Sequence, residues 1–503
     1  MSVFKWANNG LVVSLFAFSV FMLSGCSDDD DGDENPPVIS NLSHADNEKV
    51  IGDRSITFSV DVTDDVGATV SVSHNSNAVS LSQTGDTYSG TIILEDNLNN
   101  VISIVASDAD NTTTQTITLN YPFLAFTNGQ SASVVIGQPD FDSFATNRGG
   151  SVADNAFSAL RGIIVHNNIF YTADRTNNRV LGFNSIPETY DDGINASANL
   201  VIGQTGFEQA AAGLAANQLN NPYSIATNGE IFLVGQKNTS GGGGGGRVSL
   251  WYSLPTSNSA ADVVIGQADF GEDVIACNET TFAGGVEGLF VVNNKIIASD
   301  TENNRVLIWN SIPTTNGEPA DIVLGQQDFT HCAANDGNND GDNIDPEDGT
   351  SASTLYRPGN IWSDGTRLVV ADKDNFRVLI WNTFPTSNFQ PADAVIGQAD
   401  LQSAVFPIPV TTSSIAPHAM SSNGNQLFVY DVPGERILIW DSIPTSTTNI
   451  INADRVLGAS DTDVNDTLAN NAEIDGVLGI AFYKDKLLLT DVNNSRVLIF
   501  EAP

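Results

Sequence analysis

The densest oxygen-ligand chemistry in the chain lies in one loop, DGNNDGDNIDPE, residues 336 to 347. Asp336, Asn338 and Asp340 stand at alternating positions, Gly341 supplies a sharp turn, Asp342 adds a further carboxylate, and Glu347 closes the loop as a possible two-oxygen ligand. Hard oxygen donors in this order suit calcium, which extracellular sites can bind weakly because it is abundant there. Ile344 falls one place later than the pattern asks, Pro346 is unusual, and no helical pattern flanks the loop, so a solvated acidic loop stays open beside calcium. No transition metal is expected. Cys332 lies just before the loop and Cys277 one repeat earlier; adjacent loops on one face would bring them within the reach of a disulfide.

A second set of candidates appears when short related segments are aligned: LRGI at 160, PYSI at 222, VEGL at 286, PGNI at 358, PHAM at 417 and VLGI at 477. The second column varies, reading Arg161, Tyr223, Glu287, Gly359, His418 and Leu478. Different polar groups on one shared backbone frame are what a binding site requires, and Arg161, Tyr223, Glu287 and His418 are its candidates. A merely solvated rim fits the same column. Glu287 and His418 are also the candidates for catalysis, as two ligands of a metal. A catalytic zinc usually takes three protein ligands, and no third is evident, since His44, His74, His166 and His331 form no cluster with them.

Two motifs repeat along the frame that carries this column. One reads NRVLGFNSIP at 178, RVSLWYSLP at 247, NRVLIWNSIP at 304, FRVLIWNTFP at 376, ERILIWDSIP at 435 and SRVLIFEAP at 495. The other reads SVVIGQPDF at 133, with counterparts whose glycines (Gly137, Gly203, Gly266, Gly325, Gly397, Gly458) are separated by 66, 63, 59, 72 and 61 residues. Six copies of each imply six units, and each unit writes out as four strands, the pattern of a propeller blade. The first IGQ segment precedes every RVL segment, and the last RVL segment has no IGQ after it. The ring is therefore expected to close with residues from 133 as the outer strand of the last blade, leaving FLAFTNGQ at 123 as a connection. The aromatics Phe183, Trp251, Trp309, Trp381, Trp440 and Phe500, being repeated, are assigned to packing between blades. The five-residue step from Asp174 to Arg179 recurs at Asp300, Asp372, Asp431 and Asp491, and is read as a charge-assisted tie within each hairpin.

The segments YTADRTNNRVLGF, IASDTENNRVLIW, VVADKDNFRVLIW and LLTDVNNSRVLIF resemble the NHL repeat, over about residues 133 to 503. The resemblance implies a six-bladed β-propeller. One unit departs: Gln236 stands where aspartate is expected, ahead of a glycine tract. In peptide-amidating lyases of this propeller type a histidine in the Pro-His context of His418 helps hold zinc with two others; only His418 matches here. The metal-binding motif of lactonase-type propellers is not visible, nor is a serine or cysteine nucleophile constellation.

Ahead of the repeats, residues 36 to 121 alternate apolar and polar residues in short runs separated by Asn, Asp and Gly turns, which predicts a small antiparallel sandwich. The pattern resembles bacterial immunoglobulin-like modules. Residues 1 to 25 combine Lys5, the apolar run LVVSLFAFSVFML and LSG, an export signal too short to span a membrane. With Cys26 it completes LSGC, which resembles a bacterial lipobox and implies a lipid-anchored protein of the outer membrane, periplasmic or surface-exposed, with residues 26 to 35 as an acidic tether.

The chain has 503 residues, more than one domain's worth at roughly 100 to 200 residues each, and a net charge of −40. That charge repels phosphate backbones, so nucleic acid is excluded as a partner. The expected function is non-catalytic binding of an envelope or extracellular protein, peptide or glycan. A metal-dependent lyase or hydrolase at the channel mouth is the alternative.

Overall fold

A computed structural model of the chain describes residues 35–50, 55–95, 98–121, 123–237, 244–342, 348–407, 410–446, 451–458 and 474–502. The export signal, Cys26 and Glu347 lie outside these residues. The regular structure is almost wholly β-strand, with one short α-helix and four 3₁₀ turns among the described residues.

Residues 38 to 121 form two facing sheets. One orders Val38–Ser40, Ser55–Thr63, Thr87–Ile93 and Ser82–Thr84; the other orders Glu48–Lys49, Thr112–Tyr121, Leu98–Ser107, Thr69–His74 and Asn77–Val79. Alternation of burial along Ser55–Thr63 follows the period-two pattern of the sequence. Phe58, Val60, Ile102, Ile104 and Leu119 meet in the core between the sheets. The pairing is not wholly antiparallel as expected, because Glu48–Lys49 runs parallel to Thr112–Tyr121.

The rest of the chain makes six four-stranded antiparallel sheets. The first contains Leu160–His166, Ile169–Asp174, Arg179–Phe183 and Leu200–Ile202, and the second Pro222–Thr227, Phe232–Lys237, Gly246–Trp251 and Val263–Ile265. The third contains Leu289–Val292, Lys295–Asp300, Arg305–Trp309 and Ile322–Leu324, and the fourth Pro358–Ser363, Leu368–Asp372, Arg377–Trp381 and Ala394–Ile396. The fifth contains Pro417–Ser422, Leu427–Asp431, Arg436–Trp440 and Arg455–Leu457. In the sixth, Val477–Tyr483, Lys486–Asp491 and Arg496–Glu501 are joined by Val134–Ile136, whose Val134 faces Ile499. The N-terminal segment thus supplies the fourth strand that the C-terminal end of the chain lacks.

Each sheet is apolar on both faces and buries them against its neighbours, which explains the nearly continuous burial of the third strands. Trp251 lies in the core between the first and second sheets, Trp309 between the second and third, Trp381 between the third and fourth, and Trp440 between the fourth and fifth. Phe500 lies between the fifth and sixth, and Phe183 between the sixth and first. The indole N–H of Trp309 donates to the Glu318 carbonyl at 3.0 Å and that of Trp381 to the Gln390 carbonyl at 2.9 Å, so these large rings are buried without an orphaned donor. The first strands touch in sequence from sheet to sheet, and the sixth touches the first. FLAFTNGQ does more than connect: Leu124 and Phe126 enter the core between the fifth and sixth sheets, and Gln426 exchanges hydrogen bonds with the Leu124 backbone.

The glycine of the IGQ motif is required twice over. Gly266 has φ +85, and a Cβ there would come within 2.1 Å of the Phe282 ring. The following glutamine ties two stretches of chain together. Gln326 donates to the carbonyls of Asn304 and Ala333, just as Gln398 does to those of Phe376 and Val405.

Candidate functional site

The repeated aspartate–arginine pairs prepare the site. In the first sheet Arg179 lies opposite Asp174 on the neighbouring strand and meets its carboxylate at 2.8 Å, with both side chains fully buried. The corresponding separations are 2.9 Å for Arg305 and Asp300, 2.7 Å for Arg377 and Asp372, 3.2 Å for Arg436 and Asp431, and 2.6 Å for Arg496 and Asp491. Each arginine spends its remaining donors on carbonyls, as Arg305 does on Phe329 and Asn278. The other carboxylate oxygen accepts a backbone N–H from the segment entering the first strand: Ser158 to Asp174, Tyr356 to Asp372 and Ala416 to Asp431. Burial raises these carboxyls above their ordinary value, Asp491 to about 6, against the pull of the arginines. In the second sheet Gln236 keeps half of the arrangement. It accepts the Asn220 N–H at 2.9 Å, while Arg247 turns to the carbonyls of Phe270 and Glu272.

Immediately beyond these anchored segments lie the variable residues. In five sheets the register slips there, between Leu160 and Ile163, Pro222 and Ser224, Pro358 and Ile361, Pro417 and Met420, and Val477 and Ile480. A bulge of this kind removes a residue from the ladder and re-aims its side chain. The small residue that follows is small because the neighbouring first strand crowds it: a Cβ on Gly288 would lie 2.1 Å from the Gly359 carbonyl oxygen.

The structure brings Arg161, Tyr223, Glu287 and His418 into one charged neighbourhood. The Arg161 guanidinium lies 4.5 Å from the centre of the Tyr223 ring. Glu287 is held by Lys373 at 2.5 Å, and the absence of a side chain at Gly359 leaves room for the Lys373 stem, which approaches within 2.9 Å of where a Cβ would be. Burial opposes ionisation of Glu287, but Lys373, with Arg161 and His418, draws its carboxyl below the usual range. His418 is open to the cavity yet hemmed in by protein, and this desolvation, with Lys373 and Arg161 adding like charge against the pull of Glu287, lowers its pKa to about 4. The imidazole is therefore neutral at physiological pH.

A second ring escaped the sequence reading. The residue directly after each repeated aspartate, or after Gln236, varies as Arg175, Lys237, Thr301, Lys373, Val432 and Val492. Its signal was variability beside a repeated position, hidden because the aspartate reads as part of the hairpin tie. Arg175 joins Arg161 over the Tyr223 ring, 5.3 Å from its centre. Lys237 reaches Glu302 at 3.4 Å, which also pairs with Arg357 at 3.2 Å.

A cavity of about 480 Å³ opens at this end, lined by Arg161, Arg175, His418, Tyr430, Asp475 and Asn493 among others. Leu478 of the column also lines it, whereas Tyr223 supports the two arginines without itself lining it. A larger cavity of about 790 Å³ lies at the other end of the strands, among Asn184, Glu188, Asp191, Asp192 and their neighbours. It gathers turn residues rather than the variable rings, so the smaller cavity is the candidate site.

In the acidic loop, Asp336 is buried and accepts the N–H groups of Asn339 and Gly341 at 2.6 and 3.0 Å. Its carboxylate, with those of Asp340 and Asp348, forms the one group of three possible metal ligands found among the described residues, with ligand atoms within 4.8 Å of one another. The group differs from the sequence expectation: Asp348 takes part, Asp342 does not, and Asn338 gives its side-chain N–H to Asp340. Asp342 sits past the turn, where its backbone N–H bonds back to Asp340. The oxygen donors present fit a hard cation such as calcium. Cys277 and Cys332 are joined by a disulfide, with their Cα atoms 6.2 Å apart.

No family model matches the chain, and no curated protein matches it. Among solved structures, it is similar to an auxiliary nutrient binding protein from Bacteroides thetaiotaomicron VPI-5482, at 10% identity over 93% of this chain and 99% of that one, with a TM-score of 0.42. A protein of the same strain that bears a phosphatase name follows, at 12% identity over 93% and 98%, with a TM-score of 0.40. An auxiliary nutrient binding protein from Bacteroides ovatus ATCC 8483 gives 10% identity over 93% and 98%, with a TM-score of 0.37. Likenesses of this degree carry no inference about what the chain binds.

Proposed function

We propose that the chain is an envelope lipoprotein in which an immunoglobulin-like spacer carries a six-bladed NHL-type propeller, and that the propeller mouth is a non-catalytic binding site for a protein, peptide or glycan. The observation that carries this reading is the contrast within the frame. Residues that repeat are buried and paired, whereas the unrepeated Arg161, Arg175 and His418 meet at one cavity. A cavity of this volume falls within the usual range for small-ligand sites, roughly 300 to 1,000 Å³. Exposed apolar side chains on the loops that follow the fourth strands, Phe144, Val274, Ile275, Val405 and Phe406, add contact surface at the same end.

The lyase or hydrolase alternative draws no support from the geometry, because Lys373 already holds Glu287 and no third ligand joins His418 among the described residues. Capture of a ligand from envelope extracts tests the binding reading. Bound ligand should be lost from a variant carrying Arg161→Gln, Arg175→Gln and His418→Ala together, and undiminished capture by that variant overturns it. Anchoring at Cys26 predicts incorporation of radiolabelled fatty acid that disappears in Cys26→Ser.

The same reading gives the loop around Asp336 a structural calcium. Asp336, Asp340 and Asp348 would hold it, with Glu347 as a further candidate, and the ion would relieve the repulsion among their carboxylates. Calcium should raise the melting temperature of the wild-type chain but not of Asp336→Ala; an unshifted wild type rejects the site.

A further inference from the structure

Resting on the reading of the mouth as a binding site, we infer that Arg161 and Arg175 form a carboxylate-binding subsite and that the ligand is an acidic, uronate-bearing saccharide. The two guanidiniums sit on one tyrosine ring, at 4.5 and 5.3 Å from its centre. Among the described residues neither makes an ion pair, and the Nε atom of each is buried without a hydrogen-bond partner. Arg148 and Arg247 also lack an ion pair, but their guanidiniums are hydrogen bonded to carbonyls, whereas Arg161 and Arg175 share one ring with the Nε of each unmatched. Elsewhere in the six sheets the repeated arginines are spent on carboxylates and carbonyls. The nearby Glu287 attracts Arg161 at longer range but makes its ion pair with Lys373, so neither arginine is paired with it. Two cations held close together and left unmatched lower the free energy of an anion placed between them, and a planar guanidinium recognises a carboxylate through two parallel hydrogen bonds.

The remaining lining selects the body that carries the carboxylate. Asp475 and Glu435 face the same cavity, and they disfavour a doubly charged phosphate while accepting hydrogen bonds from hydroxyl groups. Thr146, Ser158, Asn493 and Ser495 add donors and acceptors around the wall, and His418, neutral at physiological pH, can take either role. A polyhydroxylated ring with a single negative charge satisfies both halves of the cavity.

Isothermal titration of the full chain with a uronate trisaccharide and with its carboxyl-reduced counterpart tests this. Binding of the acidic sugar is expected, at least tenfold tighter than that of the reduced one. Arg161→Gln and Arg175→Gln should each weaken the acidic sugar at least tenfold and reduce its advantage over the reduced sugar, with thermal melts confirming that the variants are folded. No heat from the uronate at millimolar concentration, equal affinity for the two sugars, or preference for a dipeptide or inorganic sulfate overturns the inference. If the reduced sugar or the dipeptide binds as well and loses affinity in His418→Ala, the mouth reading stands and the carboxylate subsite falls. Binding that survives all three variants removes both.

Discussion

Arg175 and Arg179 are four residues apart in the same turn, yet they end in opposite states. Arg179 is fully buried, paired with Asp174 and hydrogen bonded to the carbonyls of Phe207, Ala153 and Ala156. Arg175 is half-buried over Tyr223 with its Nε unmatched. The difference teaches where this fold spends its charge. Removing a charge from water costs several kcal/mol unless each donor finds a partner, so the repeated arginines come with a complete set of partners and belong to the frame. The mouth arginines lack that set, and the proposed carboxylate subsite rests on this difference.

The contrast breaks most sharply on stability. Arg305→Met leaves Asp300 buried without its partner and should destabilise by about 3 to 5 kcal/mol in urea unfolding. A loss below about 1 kcal/mol would mean that the pair does not hold the hairpin. The second sheet provides an intermediate case, because Arg247 has only carbonyl partners and Gln236 carries no charge. Arg247→Met should therefore cost less, about 1 to 3 kcal/mol, since it orphans acceptors but no carboxylate. At the mouth, Arg161→Gln and Arg175→Gln break no ion pair, since Glu287, which Arg161 attracts at longer range, keeps Lys373. Each should change stability by no more than about 0.5 kcal/mol, or raise it.

The smallest effect is electrostatic. Proton resonances of the His418 ring should titrate with a midpoint near 4, far below an ordinary histidine. Arg161→Gln should raise that midpoint by removing a like charge, whereas loss of Glu287 should lower it further. The sign of the stability effect follows: neutral His418 contributes fully above the ordinary value of 6.5, and the contribution is lost as the pH falls toward 4. A midpoint near 6.5 would show that the ring is not desolvated.

Much of the frame was legible because repetition converts packing into pattern. Trp251, Trp309, Trp381 and Trp440 recur at one strand position, and each lies in the core between two sheets. The same logic directed attention to Arg161, Tyr223, Glu287 and His418, which do share one neighbourhood. It missed Arg175 and Lys373, because a residue beside a repeated aspartate reads as part of a turn. The convergence of the acidic loop was legible only in part: Asp336 and Asp340 come together, but Asp348 joins them in place of Asp342, since the path of a long loop is set by contacts that no spacing rule contains.

By itself the sequence determined the strand content, the six-unit repeat, the aspartate–arginine ties and the partnership between Val134–Ile136 and the end of the chain. These follow from local periodicity and from the need to bury every apolar face and pair every strand edge. Which cations gain an ion pair emerges only once the sheets have packed. Lys373 reaches Glu287 across 86 positions of sequence, while Arg161 and Arg175 meet on Tyr223 and, among the described residues, make no ion pair. Charge balance at a site depends on distances between residues far apart in the chain, and those distances exist only after the sheets have packed.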